Sequence, residues 1–318
     1  MKIFLIIFFF IPVFSSAQLH WKNVDSLYQP LPKDVHVFFS NDSVDGKPNI
    51  AYYFITDLKN KQIDFAADAK NGTRLTPSQY FEKDNHPLLV VNCTFFEFVH
   101  NSNLNLAVND GRILANSIQT IANKGKDTLT YKHVFKSAIG IDKHRNADVA
   151  WVLSDTAKRF AYASQTAVPF FKDSINYYSF EKIKEKNIAS FKKWKITTAV
   201  GGGPVLIQDA EIKISNNEEQ MFAGKAINDK HPRTAMGYTT DGKLIVLVIE
   251  GRFPGIAEGV NLFQEAKMLQ DLNCKEALNL DGGGSSCMLI NGKQTIKPSD
   301  KEGQRAVPAV FLVKKSGR

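Results

Sequence analysis

Cysteine is scarce in this chain. Its 318 residues include only Cys93, Cys274 and Cys287, and no two of them form a Cys-x-x-Cys pair. An odd, widely spaced set does not build a disulfide framework or a cysteine zinc site. Cys274 and Cys287 flank a glycine run and so allow one bridge, but the apolar neighbours of all three favour buried free thiols. No histidine spacing suggests a metal site either, so we expect no metal and no cofactor.

Two runs of three glycines occur, but neither belongs to a nucleotide-binding or serine-hydrolase motif. After Gly201, Leu206 stands where the last glycine of G-x-G-x-x-G is required, and Cys287 holds the same place after Gly282. Neither run is followed by the lysine of a phosphate loop. Ser285 and Ser286 are outside a G-x-S-x-G elbow. These checks disfavour nucleotide binding and serine-nucleophile hydrolysis.

Long apolar runs are absent except at the start of the chain. Lys2 precedes an almost wholly apolar stretch, residues 3–14, and residues 15–17 are small. This order is typical of a secretory signal peptide, and we expect cleavage after Ala17 and a periplasmic or secreted protein. The run is shorter than the roughly 20 residues of a spanning helix, so no membrane span is expected.

The positive charge does not indicate nucleic-acid binding. The formal net charge is +8, and the excess lysines stand in short clusters such as residues 182–186 and 192–195. They are not interleaved with aromatic residues on one face, as nucleic-acid binding favours. A solvated surface with some attraction to anionic glycans or phosphates is the better interpretation. The oligomeric state cannot be inferred from this composition.

Short apolar and alternating segments dominate the rest of the chain and predict strands. They cover residues 35–39, 50–55, 88–91, 113–121, 149–153, 204–207, 244–249, 277–280 and 307–313. Asn-Asp-Gly at 109–111, Asp-Gly at 241–242 and Asn-Gly at 291–292 predict hairpins and hence antiparallel pairing. With no repeat and no linker, residues 18–318 are expected to form one domain. We expect an α+β fold of mostly antiparallel or mixed sheets with flanking helices and a pocket built from loops.

Two helices are readable from their first turns. Thr76 and the following proline form an N-cap and first helical position. Asn261 and Gln264 form a capping box, and that helix is expected to end near Asn273. Glu265 lies beside its apolar face and is expected at the surface. The lysine-rich residues 180–194 are expected to form a helical surface insertion.

The segment 279–286, Asn-Leu-Asp-Gly-Gly-Gly-Ser-Ser, is the strongest candidate for a site. It follows an apolar strand and puts the Asp281 carboxylate beside three glycines, whose backbone can approach a ligand closely. Its amides can also form an anion nest. A hairpin turn capped by Asp281 is the alternative for this segment alone.

Four further segments concentrate unusual residues at strand ends. Residues 92–97 frame two phenylalanines with Asn92 and Glu97, a combination suited to a sugar; alternatively the phenylalanines are core residues. Residues 201–204 repeat the glycine pattern. Residues 231–235 and 250–252 bracket a predicted hairpin, so Arg233 and Glu250 should meet at one end of it. Arginines there can grip a phosphate, and a structural ion pair of Arg233 with Glu250 is the alternative.

In this order the five segments resemble the phosphodiester glycosidase family. Over residues 88–313 they read N-x-x-F-F-[DE], G-G-G-P, H-P-R-T-A, [DE]-G-R and N-L-D-G-G-G-S-S. Glutamate stands at positions 97 and 250, where the family usually has aspartate. The resemblance implies an α+β fold and hydrolysis of a sugar-1-phosphodiester, or of a phosphorylated glycan, at the anomeric carbon.

On this resemblance Asp281 is the nucleophile or base and Glu250 the second carboxylate, while Arg233 and Arg252 neutralise the phosphate. Asn92, Glu97 and Asn279 are candidates for the sugar hydroxyls. The remaining candidates for substrate contact are Gly202, Gly203, His231, Gly282, Gly283, Gly284, Ser285 and Ser286.

Two other functions stay open at this point. The first is a non-catalytic binding module for glycans or wall polymers, for which the two glutamate replacements argue. The second is a metal-dependent phosphodiesterase with Asp281, Glu250 and Glu97 as oxygen ligands.

Overall fold

The computed structural model describes residues 18–123, 125 and 127–317. The expected signal peptide, residues 1–17, lies outside the described residues. Strands β1 to β23 run, in chain order, over Lys22–Asn23, Val35–Ser40, Ala51–Asp57, Ile63–Ala69, Leu89–Asn92, Ala107–Asn109, Arg112–Ala115, Thr120–Ala122, Tyr131–His133, Ser137–Ile141, Ala147–Leu153, Tyr162–Ser164, Phe171–Asp173, Lys192–Lys193, Thr198–Gly201, Val205–Gln208, Glu211–Ile212, Arg233–Thr239, Lys243–Ile249, Cys274–Asn279, Met288–Ile290, Lys293–Gln294 and Ala309–Lys315. Helices α1 to α4 run over Pro77–Lys83, Phe180–Glu185, Asn216–Glu219 and Leu262–Asp271.

The strands form four sheets whose neighbouring strands are antiparallel. Antiparallel pairing was the sequence-based expectation, and it is confirmed. The sheets have the orders β1-β2-β3-β19-β18-β20-β16-β17, β14-β12-β11-β10-β15-β6-β7, β22-β21-β5-β23-β4 and β13-β9-β8.

The expected α+β class with flanking helices is wrong. The fold is mostly β, with 38% of residues in strands and 12% in helices. The lysine-rich residues 180–194 show one reason. Only α2 forms there, and the chain then returns to the short strand β14, which pairs with β12. Strand pairing overrides the local helix propensity of this segment.

The central core is shared by the eight-, seven- and five-stranded sheets. Strand β19 shows how the sequence encodes this packing. Val246 and Val248 point into the central core, whereas Leu247 and Ile249 point to a second core that includes the buried face of α4. Because both faces of the strand are covered, its sequence is continuously apolar rather than alternating.

Helix α4 begins and ends as its sequence predicts. Asn261 and Gln264 form the expected capping box, and Asn273 follows the helix with a left-handed φ of 61°. The expected surface position of Glu265 is wrong, because its side chain is fully buried. It faces the second core from the edge of the apolar stripe. Helix α1 also has the expected Thr76 cap.

Both hairpins that bear on the site form as expected. Strands β18 and β19 pair across the Asp241-Gly242 turn, with Arg233 opposite Ile249. The Asn-Gly turn at 291–292 joins β21 to β22. The three cysteines are buried free thiols, as expected. No helix among the described residues combines the length and apolar composition that a bilayer crossing requires.

Candidate active site

The ends of three neighbouring strands bring together three of the segments that the sequence marks as candidates for the site. Strand β18 lies between β19 and β20, with Ala235 opposite Asn279 on one side and Arg233 opposite Ile249 on the other. The Leu280 amide donates a 2.7 Å hydrogen bond to the Thr234 carbonyl, which continues the pairing to the start of the glycine run. Residues 231–233, 250–252 and 281–285 therefore meet at one end of the central strands of the eight-stranded sheet.

Asp281 lies where the chain leaves this sheet and turns toward the five-stranded one. Its amide donates to the Cys93 carbonyl at 2.8 Å, which ties the turn to the end of β5. Burial raises the pKa of its carboxyl to about 7, against the opposing effects of a hydrogen bond with Ser285, the charge of Arg305 and the Gly282 amide. The Asp281 carboxyl can therefore hold or release a proton near neutral pH.

Arg305 is a third arginine at the site. Its Nη1 lies 3.4 Å from Ser285 Oγ, and its Nη2 forms a 2.6 Å ion pair with Asp300 Oδ2. These contacts fix the direction of the guanidinium, because its Nη2 is bound to Asp300 while its Nη1 contacts Ser285. Arg305 thereby places a positive charge beside the carboxyl of Asp281.

The three glycines give space to neighbouring groups of the site. A Cβ atom at Gly282 would lie 2.9 Å from the Pro232 carbonyl oxygen, and one at Gly283 would lie 2.8 Å from Arg252 Nη2. A Cβ atom at Gly284 would overlap the guanidinium of Arg305. Gly283 also has a left-handed φ of 61°, which costs a residue with a side chain more than it costs glycine. The glycine run thus lies between two guanidinium groups.

Several backbone amides of the two glycine runs, which were expected to form an anion nest, already donate hydrogen bonds within the protein. The Gly283 amide donates to the Pro232 carbonyl at 2.8 Å. In the other run the Gly202 amide donates to the Ser137 carbonyl and the Gly203 amide to the Asn279 carbonyl. Because these three donors are already used, side chains take a larger part in neutralising a bound anion than the sequence predicts.

Arg252 and His231 form the exposed side of the site. Arg252 Nη2 lies 3.4 Å from His231 Nδ1, and the Arg252 backbone has a left-handed φ of 66°. Such strain at a bulky residue tends to cluster at functional sites. Partial burial and the charges of Arg233 and Arg252 lower the pKa of His231, so its ring is neutral at pH 7.

Arg233 lies deeper than Arg252. Its side chain is 3% exposed, its Nε donates to the Val260 carbonyl at 3.1 Å and its Nη2 to the Asp229 carbonyl at 2.9 Å. The ring of Phe222 packs over the guanidinium, 5.6 Å from its carbon to the ring centroid. Arg233 therefore contributes positive charge from beneath the site.

Glu250 lies on the other face of the sheet from Arg233. It follows Ile249, the cross-strand partner of Arg233, and successive residues of a strand alternate in direction. Its carboxylate accepts a 2.8 Å hydrogen bond from the Lys297 amide, and burial raises its pKa. Within the described part of the chain, Arg233 and Glu250 form no ion pair. A catalytic role for Glu250 stays a prediction.

Asn92 supports the site from below. Its side chain is fully buried, and its Oδ1 accepts from Thr234 Oγ1 and from the Cys287 amide, both at 3.0 Å. Its Nδ2 donates to the Asp281 carbonyl. Ser286 joins this network because its Oγ lies 3.2 Å from Thr234 Oγ1 and can donate to it. Contact of Asn92 or Ser286 with a sugar stays a prediction, because in this structure both hold the Asp281 turn in place.

Gly202, Gly203 and Asn279 are packed together behind the site. Asn279 Nδ2 donates to the Gly203 carbonyl at 2.8 Å. A Cβ atom at Gly202 would overlap the Asn279 carbonyl oxygen, and one at Gly203 would overlap the carboxylate of the buried Glu219. These glycines allow close backbone approach, and their expected substrate contacts are likewise untested.

Glu97 organises its own loop. Its carboxylate accepts hydrogen bonds from the amides of Val99, His100 and Ser102 at 2.7 to 3.1 Å. These bonds, led by the one from His100, lower its pKa. The neighbouring Phe96 is a core residue. This agrees with the alternative interpretation of the two phenylalanines, in which they pack in the core rather than against a sugar. Phe95 is partly exposed and lies 6.2 Å from the Phe222 ring.

A comparison with family models decides the relationship. The phosphodiester glycosidase model matches residues 85–314, which include every segment just described. The chain belongs to the phosphodiester glycosidase family. The resemblance noted from the five sequence segments is thereby confirmed.

The curated relatives match only part of this chain. The N-acetylglucosamine-1-phosphodiester alpha-N-acetylglucosaminidases of Mus musculus and Homo sapiens are 31% and 29% identical over 102 residues. That stretch is 32% of this chain and 19% of each enzyme. An uncharacterised protein, YomE, from Bacillus subtilis strain 168 is 35% identical over 81 residues, 26% of this chain and 12% of its own length. The chain thus spans about a fifth or less of these relatives.

Solved structures share the fold over a larger part of the chain. The zebrafish N-acetylglucosamine-1-phosphodiester alpha-N-acetylglucosaminidase catalytic domain, auto-inhibited by its pro-peptide, gives a TM-score of 0.59 at 20% identity, covering 94% of this chain and 89% of that one. A hypothetical protein from Synechocystis gives 0.58 at 14% identity, covering 88% and 62%. At these identities the similarity concerns the fold alone.

Arg305, Asp300 and Phe222 also belong to the site, although they were not among the residues predicted from the sequence. Arg305 stands in a polar loop just before the last apolar run, as Arg233 stands at the start of its own. That parallel is the signal that points to it. No comparable signal marks Phe222, which reaches Arg233 only through the tertiary fold.

The carboxylates proposed above as metal ligands are dispersed. Among the described residues, no group of three or more His, Cys, Asp or Glu side chains is close enough to hold a metal ion. Glu97 is bound to its own loop, and Glu250 faces Lys297.

Proposed function

We propose that this phosphodiester glycosidase hydrolyses a sugar-1-phosphodiester at the anomeric carbon and acts after export to the periplasm or the medium. The observation that carries the proposal is the surrounding of Asp281. A carboxyl with a pKa near 7 lies beside a glycine turn between the guanidinium groups of Arg252 and Arg305. Such a site combines a group that can attack or accept a proton with charge that stabilises an anionic leaving group.

In the reaction, the bond between C1 of the sugar and the bridging phosphate oxygen breaks. The phosphate leaves with that oxygen and its electron pair, as a phosphomonoester, and the oxygen of a water molecule ends on C1. Asp281 in its ionised form either attacks C1 and is released by water, or takes a proton from the attacking water. The configuration of the sugar released distinguishes these two routes.

Neutralisation of the leaving phosphate is assigned to Arg252 and Arg305. They lie on either side of the Gly283-Gly284 peptide and can each donate two parallel hydrogen bonds to a phosphate. Arg233 adds charge from a buried position. This differs from the sequence-based pairing of Arg233 with Arg252, since the fold brings Arg305 closer to the Asp281 carboxyl than the sequence indicates.

The names of the relatives support the choice of substrate class. N-acetylglucosamine-1-phosphodiesters are what the curated mouse and human enzymes are named for, and they are the first compounds to assay. His231 with its neutral ring and the partly exposed Phe95 border the site and can face the sugar.

The test is a steady-state assay of a synthetic N-acetylglucosamine-1-phosphodiester with wild type, Asp281→Asn and Asp241→Asn. We expect Asp281→Asn to lose on the order of a thousandfold or more in kcat/KM. Asp241 lies in the β18–β19 turn at the other end of the hairpin, so Asp241→Asn should match wild type. Exhaustive chelation should leave the rate unchanged. An Asp281→Asn variant as active as wild type would overturn the assignment, and binding without any product would favour a non-catalytic module.

A further inference from the structure

A pair of exposed apolar residues stands next to the site on a rigid loop. Phe98 is 60% exposed and Val99 is 82% exposed. The loop that carries them is held by Glu97, by the hydrogen bond from the Glu97 amide to the Ser102 carbonyl and by one from the Gly72 amide to the Asn101 carbonyl. Because these hydrogen bonds hold the loop in place, its apolar side chains form a defined exposed patch, and such patches often mark binding sites.

Phe98 contacts two arginines. The guanidinium carbons of Arg74 and Arg305 each lie 5.6 Å from the centroid of its ring. Arg74 also lies 5.7 Å from the ring of Phe96. Contacts with aromatic rings orient a guanidinium and leave its N–H groups free to bind an anion.

The two arginines differ in whether a carboxylate balances their positive charge. Arg305 is paired with Asp300 and reaches Ser285. Arg74 forms no ion pair with any carboxylate in the described ranges of the chain. A half-buried arginine without a counter-charge produces a positive potential that attracts an anionic group.

Resting on the proposed function, we propose that Arg74 and Phe98 form a second anion subsite on the leaving-group side of the scissile phosphate. The preferred substrate is then one whose leaving phosphate is attached to a unit that carries a further phosphate, as in an oligomer of sugar phosphates. Arg305 would contact the scissile phosphate and Arg74 the next one, with the Phe98 ring packed against both guanidinium groups.

The test compares two substrates with the same N-acetylglucosamine-1-phosphodiester bond. In one the leaving phosphate is esterified to methanol, and in the other to a sugar that carries its own phosphomonoester. We expect wild type to prefer the second in kcat/KM by about tenfold or more, which is the scale of one lost charge-assisted contact. Arg74→Gln should lose most of that preference without changing the rate on the methyl ester, and Arg74→Lys should keep part of it.

Lys61→Gln is the matched control. Lys61 is exposed in the turn between β3 and β4, at the far end of the eight-stranded sheet, and its loss removes one positive charge from the protein as well. The preference should survive in this variant and should weaken at high salt in wild type.

The possible failures are distinguishable. If wild type cleaves the methyl ester but shows no preference, or if Arg74→Gln slows both substrates equally, the second subsite does not exist. If wild type cleaves neither compound, the proposed function fails. Calorimetry with the Asp281→Asn variant then still decides the subsite, since equal affinity for the two compounds, or none for either, would overturn it.

Discussion

The guanidinium of Arg305 fills the space in which a side chain at Gly284 would begin. Glycine is therefore required at position 284 by its neighbour, and not by a left-handed backbone of its own. The Asp281 carboxyl, the Ser285 hydroxyl and the Arg305 guanidinium form one unit because this glycine lets the arginine come close.

Replacement of Gly284 by alanine should therefore displace Arg305 and reduce activity. We expect kcat/KM to fall by about a hundredfold, the scale of one misplaced catalytic contact, while the fold remains intact by circular dichroism. Gly317→Ala is the control, because a Cβ atom at Gly317 meets no atom within 4 Å. Activity of Gly284→Ala close to wild type would show that Arg305 is not needed at this place.

Activity should also depend on pH through Asp281. Its carboxyl has a pKa of about 7 and must be ionised to act as nucleophile or base. The kcat/KM profile should therefore fall toward acid with an apparent pKa near 7. Arg305→Gln removes a charge that favours ionisation, so the same limb should move to higher pH, and Arg305→Lys should move it less. If the acid limb of the profile stays at the same pH in Arg305→Gln, the charge of Arg305 does not act on the Asp281 carboxyl.

Glu265 should make the stability of the protein depend on pH. Burial raises the pKa of its carboxyl to about 8, although the charge of Arg233 opposes this. The unfolded chain ionises this group at its ordinary pKa near 4.5, so its contribution to stability is complete below about pH 4.5 and is lost as the pH rises toward 8. The slope attributable to one such group is at most about 1.4 kcal/mol per pH unit.

Glu265→Gln should therefore flatten the decrease in the free energy of unfolding between pH 5 and pH 8, measured by urea denaturation. Glu302→Gln, which removes an exposed carboxylate, corrects for the change in net charge. If the Glu265→Gln and Glu302→Gln variants give the same slope, Glu265 does not titrate in this way.

Asn92 should be a stability residue as well as a support for the site. Alanine at this position would leave the Cys287 amide and the Thr234 hydroxyl without their partner, at a cost of about 1–3 kcal/mol for each buried group. We expect Asn92→Ala to lower both the melting temperature and kcat/KM. A double-mutant cycle with Thr234→Val should show coupling, because the two side chains share one hydrogen bond. Additive effects would contradict the network.

Local signals in the sequence were reliable where the structure is decided locally. The Asp241-Gly242 turn and the strands on either side of it bring Arg233 and residues 250–252 to the same end of the hairpin, as expected. The Asn261 capping box fixes the start of α4 in the same way. These elements depend on hydrogen bonds between residues that are close in sequence.

The errors concern contacts that only the tertiary structure creates. Glu265 lies at the edge of an apolar stripe, and its burial depends on how α4 packs on the eight-stranded sheet. Arg233 and Glu250 lie at the same end of the hairpin, as expected, but strand alternation turns their side chains to opposite faces, so the alternative of an ion pair between them is wrong. Arg305 reaches Asp281 across two sheets, and no spacing in the sequence predicts that approach.

The most direct test of the central claim, cleavage at the anomeric carbon by the Asp281 centre, is hydrolysis in heavy-oxygen water followed by mass spectrometry of both products. If the bond at the anomeric carbon breaks, the label enters the sugar and is absent from the phosphomonoester, and this is the result that we expect. Label in the phosphomonoester would mean that the phosphorus–oxygen bond breaks instead, and it would contradict the assignment of this chain as a glycosidase.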